Sequence, residues 1–232
     1  MGKKDIVSIV IPTYNRPEYL KKAIQTVLAQ TYENFEIIIV DDASDVDNSK
    51  VIDSFNDDRI LYFKNKKNMG APFSRNKGIR ESKGEYVAFL DDDDEWEPEK
   101  LEKQLKEFSN EKVGLVVCYS LDKRFGMTRV SKPQRIVSFT DLLKSFNLSS
   151  TSSYVVLKKA IEKVGFFDET LPSAQEYDLA IRIANYFEVR TVPEVLMIQN
   201  ASEGQISTNW AKKIKGILAL HSKYGREYNK LG

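Results

Sequence analysis

Short runs of β-branched residues alternate along the first half of the chain with stretches whose apolar positions recur every three to four residues. Ile6–Ile11 is nearly all β-branched, the pattern of a strand buried on both faces, and Pro12 is expected to end it. Pro17 suits the first turn of a helix, in which Tyr19, Leu20, Ala23, Ile24, Val27 and Leu28 form one apolar stripe. Phe35–Val40 reads as a second strand, Val51, Ile52 and Phe55 as a short helix, and Ile60–Phe63 as a third strand. A helix follows over Pro72–Glu81 and a fourth strand over Glu85–Leu90. Pro98 opens a further helix, with Leu101, Leu105 and Phe108 inward and Glu99/Lys103 and Glu102/Lys106 as i,i+4 pairs. Val113–Tyr119 is a fifth strand.

Strands alternating with helices predict an α/β fold with a mostly parallel sheet covered by helices on both faces. The second half is less regular. Leu121–Val137 reads as a polar surface loop or hairpin, Asp141–Phe146 as a short helix and Ser153–Leu157 as a strand. Glu176–Phe187 is helical, Val195–Ile198 is a short strand, and Trp210–Leu231 is a basic amphipathic helix with a break near Gly225. No repeat or low-complexity linker divides the chain, so one domain is expected.

Open α/β sheets bind ligands beyond the carboxyl ends of their strands. Polar clusters fall at three such ends: Thr13-Tyr14-Asn15-Arg16, Asp41-Asp42 and Asp91–Asp94. From Asp91 to Glu99, seven of nine residues are acidic. Crowded carboxylates after an apolar strand repel one another, and a hard divalent cation that completes its shell with substrate phosphates relieves this. The competing reading is a solvated acidic turn at a helix start. Asp42 suits a base or ribose hydroxyl, or a turn. Gly70 permits close backbone approach. Arg75 suits a phosphate, an acidic partner or open solvent.

Composition narrows the setting. The 232 residues carry a net charge of +1, with no bulk pull toward nucleic acid or membrane. The single cysteine, Cys118, lies in an apolar run and reads as a buried hydrophobe in a reducing, cytoplasmic compartment. Met1–Asp5 leads straight into a strand pattern without a signal segment, and no apolar run approaches the roughly 20 residues of a spanning helix.

Ile9-Val10-Ile11-Pro12-Thr13-Tyr14-Asn15-Arg16, Val40-Asp41-Asp42-Ala43-Ser44, Asn68-Met69-Gly70 with Ser74-Arg75-Asn76, and Phe89-Leu90-Asp91-Asp92-Asp93-Asp94 with Trp96 and Pro98 resemble, in order and spacing, the GT-A glycosyltransferases of family 2. Weaker similarity continues through Gly165-Phe166-Phe167-Asp168 and Glu176-Tyr177-Asp178-Leu179. The resemblance implies a GT-A, Rossmann-like fold and a smaller irregular acceptor-side part. It implies a single domain over 1–232: a nucleotide-sugar half (1–120), an acceptor and catalytic-base half (121–209) and the C-terminal basic helix (210–232). It further implies inverting transfer from a nucleotide-diphosphate sugar, often UDP-linked, with Mn²⁺ or Mg²⁺, to a glycan or lipid-linked acceptor.

By position, the donor set would be Pro12, Thr13, Tyr14, Asn15, Asp42 toward the base, Asn68, Gly70, Arg75 near the base or ribose, Asp91 and Asp92, with Asp93 as the metal ligand. The general base, usually an aspartate in the family, falls on Glu176, with Asp178 as the alternative, pointing off that face. A histidine that many relatives carry near Gly204–Ser207 is absent. His221, the only histidine, is expected to be structural or solvated, leaving Gln205 and Ser207 to touch the diphosphate. The last helix either packs on the domain or lies on a membrane surface at the inner face. Two other readings stay open: a nucleotidyltransferase making a sugar nucleotide, although no Gly-rich triphosphate loop follows the first strand, and a non-catalytic sugar-nucleotide binder.

Overall fold

A computed structural model describes residues 6–123, 128–145, 147–200 and 210–230. In the first half, β1 (Val7–Thr13), β2 (Phe35–Asp41), β3 (Ile60–Lys64) and β4 (Tyr86–Phe89) alternate with α1 (Pro17–Leu28), α2 (Ser49–Asp53) and α3 (Ala71–Glu81). These four strands pair in parallel, in the order β3-β2-β1-β4. Alternate residues of β1 explain the all-apolar run: Val7, Ile9 and Ile11 join α1's Leu20, Ala23, Ile24 and Val27 on one face. Val10 joins Ile79 of α3 on the other.

Pro12 does not end β1, which continues to Thr13. The Val10 carbonyl accepts from Leu90 on the β4 side, and the Thr13 carbonyl accepts from Asp42 on the β2 side. Pro12 shares Val10's parity, so its missing N–H faces a neighbour that has already stopped pairing with β1.

The chain then forms β5 (Asp94–Trp96), α4 (Lys100–Leu105) with a short 3₁₀ turn, β6 (Val113–Asp122), β7 (Arg129–Ser131), β8 (Ile136–Val137) and α5 (Phe139–Lys144). After these come β9 (Val155–Leu157), α6 (Lys158–Val164), α7 (Gln175–Ala184), β10 (Glu188–Gln199), α8 (Trp210–Lys223) and α9 (Gly225–Tyr228). The sheet continues β4-β9-β6-β10-β5; β9 is antiparallel to both neighbours, and β6 and β10 are parallel. The hairpin reading of 121–137 holds where described, since β7 folds back on β6. Cys118 is fully buried in β6, and desolvation pushes its thiol up to about 11.

Two elements, β5 and α6, have no counterpart in the sequence reading, and one expected strand proves longer. The end of the aspartate run is a strand, β5, paired with Met197–Gln199. The strand expected over Val195–Ile198 is the end of the twelve-residue β10. Its register against β6 slips around Pro193, which cannot donate to the ladder. Finally, α6 is a helix that the apolar period did not reveal.

Helix α3 crosses β1 at Gly78, where an added Cβ would lie 2.3 Å from Val10 Cγ1. Gly78→Ala is therefore expected to cost about 1–3 kcal/mol by overpacking. Urea unfolding measures it, and in a Val10→Ala background the costs should be less than additive, because the clash is gone.

Candidate active site

The carboxyl ends of β1, β2 and β4 lie side by side, and their loops are tied together by side chains. Asn15 sits in the left-handed region, φ 56°, which asparagine tolerates. Its side-chain oxygen accepts from the Asp45 amide at 2.7 Å, and Tyr14 beside it is exposed. At the end of β2 the two aspartates do different work. Asp41 accepts from the Ser44 amide (2.7 Å), Asn48 (2.9 Å) and the Tyr62 hydroxyl (2.7 Å). Burial pushes its carboxyl up, but these hydrogen bonds outweigh burial and hold it below the ordinary value. Asp42 accepts from Asn65 (2.8 Å) and from the amides of Met69 (2.9 Å) and Gly70 (2.7 Å). It thereby builds the turn into α3, where Gly70 has φ +88°. Asn68 is exposed on that turn.

Arg75 is 7% exposed, which excludes the solvated-charge reading. Its guanidinium pairs with Asp91 and lies 5.6 Å over the Phe167 ring, while its buried Nε has no hydrogen-bond partner. Asn76 exchanges two 2.9 Å hydrogen bonds with the Phe167 backbone, fixing the segment that leads to α7.

The solvated acidic turn is likewise excluded, because Asp92 and Asp93 are only 6% and 8% exposed. Thr13 donates to Asp92 at 2.8 Å. One nitrogen of Arg16 lies 3.3 Å from Asp92 and 3.0 Å from Asp93. Desolvation, with Asp93 and Asp91 adding to it, pushes Asp92 up to about 7 against the opposing pull of Thr13 and Arg16. The turn is clamped from behind by Ser152, which accepts from the Asp91 amide (3.0 Å) and donates to Asp94 (2.6 Å). The Ser152 carbonyl also takes the Trp96 indole N–H at 2.7 Å. Among the described residues no three His, Cys, Asp or Glu side chains gather into a cation cage. Asp92 and Asp93 nevertheless converge on one cationic nitrogen. That donor set fits a cation held by one or two carboxylates and completed by phosphate oxygens.

Glu176, in the first turn of α7, is partly exposed and accepts from its own backbone amide. Burial of the carboxyl raises it above its ordinary value; Arg75 and Lys213 pull it down and Asp91 pushes it up. Asp178 lies elsewhere. Fully buried, it accepts from Arg182 (2.9 Å), Lys223 (2.7 Å) and Tyr224 (2.8 Å). It therefore fastens α8 and α9 to α7. His221 is exposed and stacks on Tyr228, ring centroids 4.7 Å apart. Gln205 and Ser207 lie outside the described residues.

Sequence reasoning placed neither Arg16 nor Ser152 in the site. Arg16 belongs to the Thr13–Arg16 cluster at the end of β1, but nothing in the sequence gives it a role apart from its neighbours. Ser152 sits in a serine run with no motif to single it out.

Lys223 also donates to Asp168 at 2.7 Å. Burial alone would raise Asp168, but Lys223 and Thr170 outweigh it and hold the carboxyl at about 2, against 3.8 ordinarily. That stabilisation is complete above pH 3.8 and fades as pH falls through about 2. Both partners are partly solvated, which discounts the pair. Lys223→Ala should therefore cost about 1–2 kcal/mol through Asp168 and more through buried Asp178, which loses one of its two cations. In thermal unfolding only the Asp168 share of the difference should shrink toward pH 2.

The family model of glycosyl transferase family 2 matches residues 8–167, and the chain belongs to that family. It is 35% identical over 205 residues to an uncharacterized glycosyltransferase of Methanocaldococcus jannaschii, covering 84% of this chain and 70% of that one. It is 33% identical over 163 residues to the Escherichia coli UDP-Glc:alpha-D-GlcNAc-diphosphoundecaprenol beta-1,3-glucosyltransferase WfaP, covering 70% and 64%. The mannosyltransferase PcManGT from Pyrobaculum calidifontis, solved with GDP-Man and Mn²⁺, superposes with TM-score 0.79 at 17% identity, over 97% of this chain and 65% of that one. This likeness shows the fold, which is GT-A. The chain spans between 64% and 70% of the length of these three proteins. It is an enzyme of the glycosyltransferase class.

Proposed function

We propose that the chain, as one domain over 1–232, transfers a sugar with inversion from a nucleotide-diphosphate donor, UDP-linked by preference, to a hydroxyl of a glycan or lipid-linked acceptor. The observation that carries this reading is the meeting of two halves of the chain. Helix α7 sets the Glu176 carboxyl within electrostatic reach of the Arg75–Asp91 pair, and Asp91 heads the turn that carries Asp92 and Asp93. Glu176 takes the proton of the acceptor hydroxyl as its oxygen bonds to the anomeric carbon and the donor's diphosphate leaves. Thr13, Tyr14 and Asn15 line the nucleotide, and Asp42 fixes the Asn68–Gly70 turn against it. Arg75, expected near the base or ribose, is moved in this reading to the phosphate side with Arg16, because it pairs with Asp91 at the head of the aspartate turn. Asp93, with Asp92, is the ligand for Mn²⁺ or Mg²⁺, which when bound supplies charge neutralisation at the leaving diphosphate. A UDP donor and lipid diphosphate acceptor in WfaP, and Mn²⁺ in PcManGT, support the choice. A lipid-linked acceptor places the enzyme in the cytoplasm at the inner face of a membrane.

A thermal-shift screen of nucleotide sugars with and without Mn²⁺, followed by product analysis, tests this. A ligand at 100 times its Kd adds about 2.7 kcal/mol of stability. Release of a nucleoside diphosphate with glycosylated acceptor supports the proposal. Release of pyrophosphate would turn it into nucleotidyl transfer, and binding without turnover across a broad acceptor panel would reduce it to a binder.

A further inference from the structure

The amphipathic helix α8 packs on the domain through its small residue Gly216 and Leu220, not through its largest apolar side chains. Its contacts with the domain run through Gly216, where an added Cβ would meet Ser173 Oγ at 2.0 Å, and through buried Leu220. The Lys212 carbonyl accepts from Ser173 (3.0 Å), and Lys223 and Tyr224 reach Asp178. The large apolar residues point outward: Trp210 is 72% exposed, Ile214 56%, Ile217 46% and Leu218 63%. At 100° per residue these four fall within one arc of about 100°, which exposed His221 shares near its C-terminal end. The arc is centred roughly 110° from Leu220 and roughly 150° from Gly216, with Lys213 on one border and Lys215 on the other. No acid lies on α8, which also carries Lys212 and Lys223. No helix among the described residues is long and apolar enough to cross a membrane.

We propose that this outward face of α8 docks on an anionic lipid surface, lying in the interface rather than crossing it. An apolar stripe bordered by lysines, with a tryptophan at one end, is the arrangement that inserts into a headgroup boundary. A second copy of the chain would bring two acid-free, lysine-rich helices face to face, so like charges oppose that occupant. The placement deepens the glycosyltransferase reading, and rests on it only for its purpose. The same helix touches Ser173 and brings Lys213 to bear on Glu176, so a lipid-anchored acceptor would meet the base at the docked face.

The experiment is sedimentation of the full chain with phosphatidylcholine vesicles, with and without about one third phosphatidylglycerol, at several salt concentrations. The chain has two tryptophans and Trp96 is 4% exposed, so a blue shift in emission reports Trp210. At least tenfold stronger binding to the anionic vesicles is expected, weakening with salt and accompanied by the blue shift. Ile214→Glu/Leu218→Glu should lose at least tenfold in vesicle binding at unchanged Tm and unchanged nucleotide-sugar thermal shift. The milder Ile214→Ser guards against a misfolded double variant and should show a smaller loss. Absent binding, binding indifferent to these substitutions, or a dimer that they dissociate in light scattering would overturn the proposal. Vesicle binding without any nucleotide-sugar shift would instead overturn the functional reading and leave this one standing.

Discussion

Glu176→Gln is expected to lower sugar transfer by about 10²–10⁴-fold, the usual contribution of a positioned proton acceptor, while the donor's thermal shift stays within error. The amide keeps the shape of the first turn of α7 but cannot take the hydroxyl proton. Glu176→Asp retracts the carboxylate by about 1 Å and should fall between, since misplacement on that scale costs about 10²-fold. Asp178→Asn should behave differently. It would leave Arg182 and Lys223 facing an uncharged group in a buried site, at about 3–5 kcal/mol of stability, with loss of folded protein rather than of turnover per folded molecule. If Asp178→Asn abolished turnover at full stability while Glu176→Gln kept its rate, the assignment would be reversed.

The pH profile separates two carboxyls. A base works only when deprotonated, so the rate falls as pH drops through the folded pKa of Glu176, which burial sets above 4.5. Asp92, raised to about 7, must also lose its proton to bind a cation, so a second acid limb is expected near neutrality. Because cation affinity competes with protonation, added Mn²⁺ should move the Asp92 limb to lower pH and leave the Glu176 limb in place. The residual activity of Glu176→Gln should keep only the Asp92 limb.

The division between what the residues foretold and what they concealed follows chain distance. The parallel half was legible because each element carries its own period: Ile6–Ile11 and Phe35–Val40 read as doubly buried strands, and α1 as a single stripe. Three polar clusters at three strand ends located the site. The second half is held by pairings that leave no local trace. β5 exists because Asp94–Trp96 finds Met197–Gln199 about a hundred residues away, and β10 carries a proline that argues locally against a strand. Ser152 reaches the aspartate turn only through the antiparallel insertion of β9 beside β4. The stripe on α8 was visible as a pattern, but periodicity gives the angle between faces and not which face meets the protein. Gly216, the one residue small enough for Ser173 to approach, decided that.

Asp93→Ala should abolish metal-dependent transfer, a loss of at least about 10²-fold given that a bound cation contributes several kcal/mol of charge stabilisation. The neighbouring aspartates make the test specific. Asp94 is committed to Ser152 (2.6 Å) and opens β5, so Asp94→Ala should act mainly on stability. Asp92 is tied to Thr13 and shares Arg16 with Asp93. Removing Asp93 leaves Arg16 beside a single carboxylate, so the fold should hold and Asp92 should ionise at a lower pH once its like-charged neighbour is gone. A folded protein with an unchanged metal-free donor shift, no further shift on adding Mn²⁺ and no Mn²⁺-stimulated transfer is the expected signature. Full Mn²⁺-stimulated activity in Asp93→Ala would move the cation site away from this turn, and the convergence of two buried carboxylates on Arg16 would then be a structural ion cluster alone.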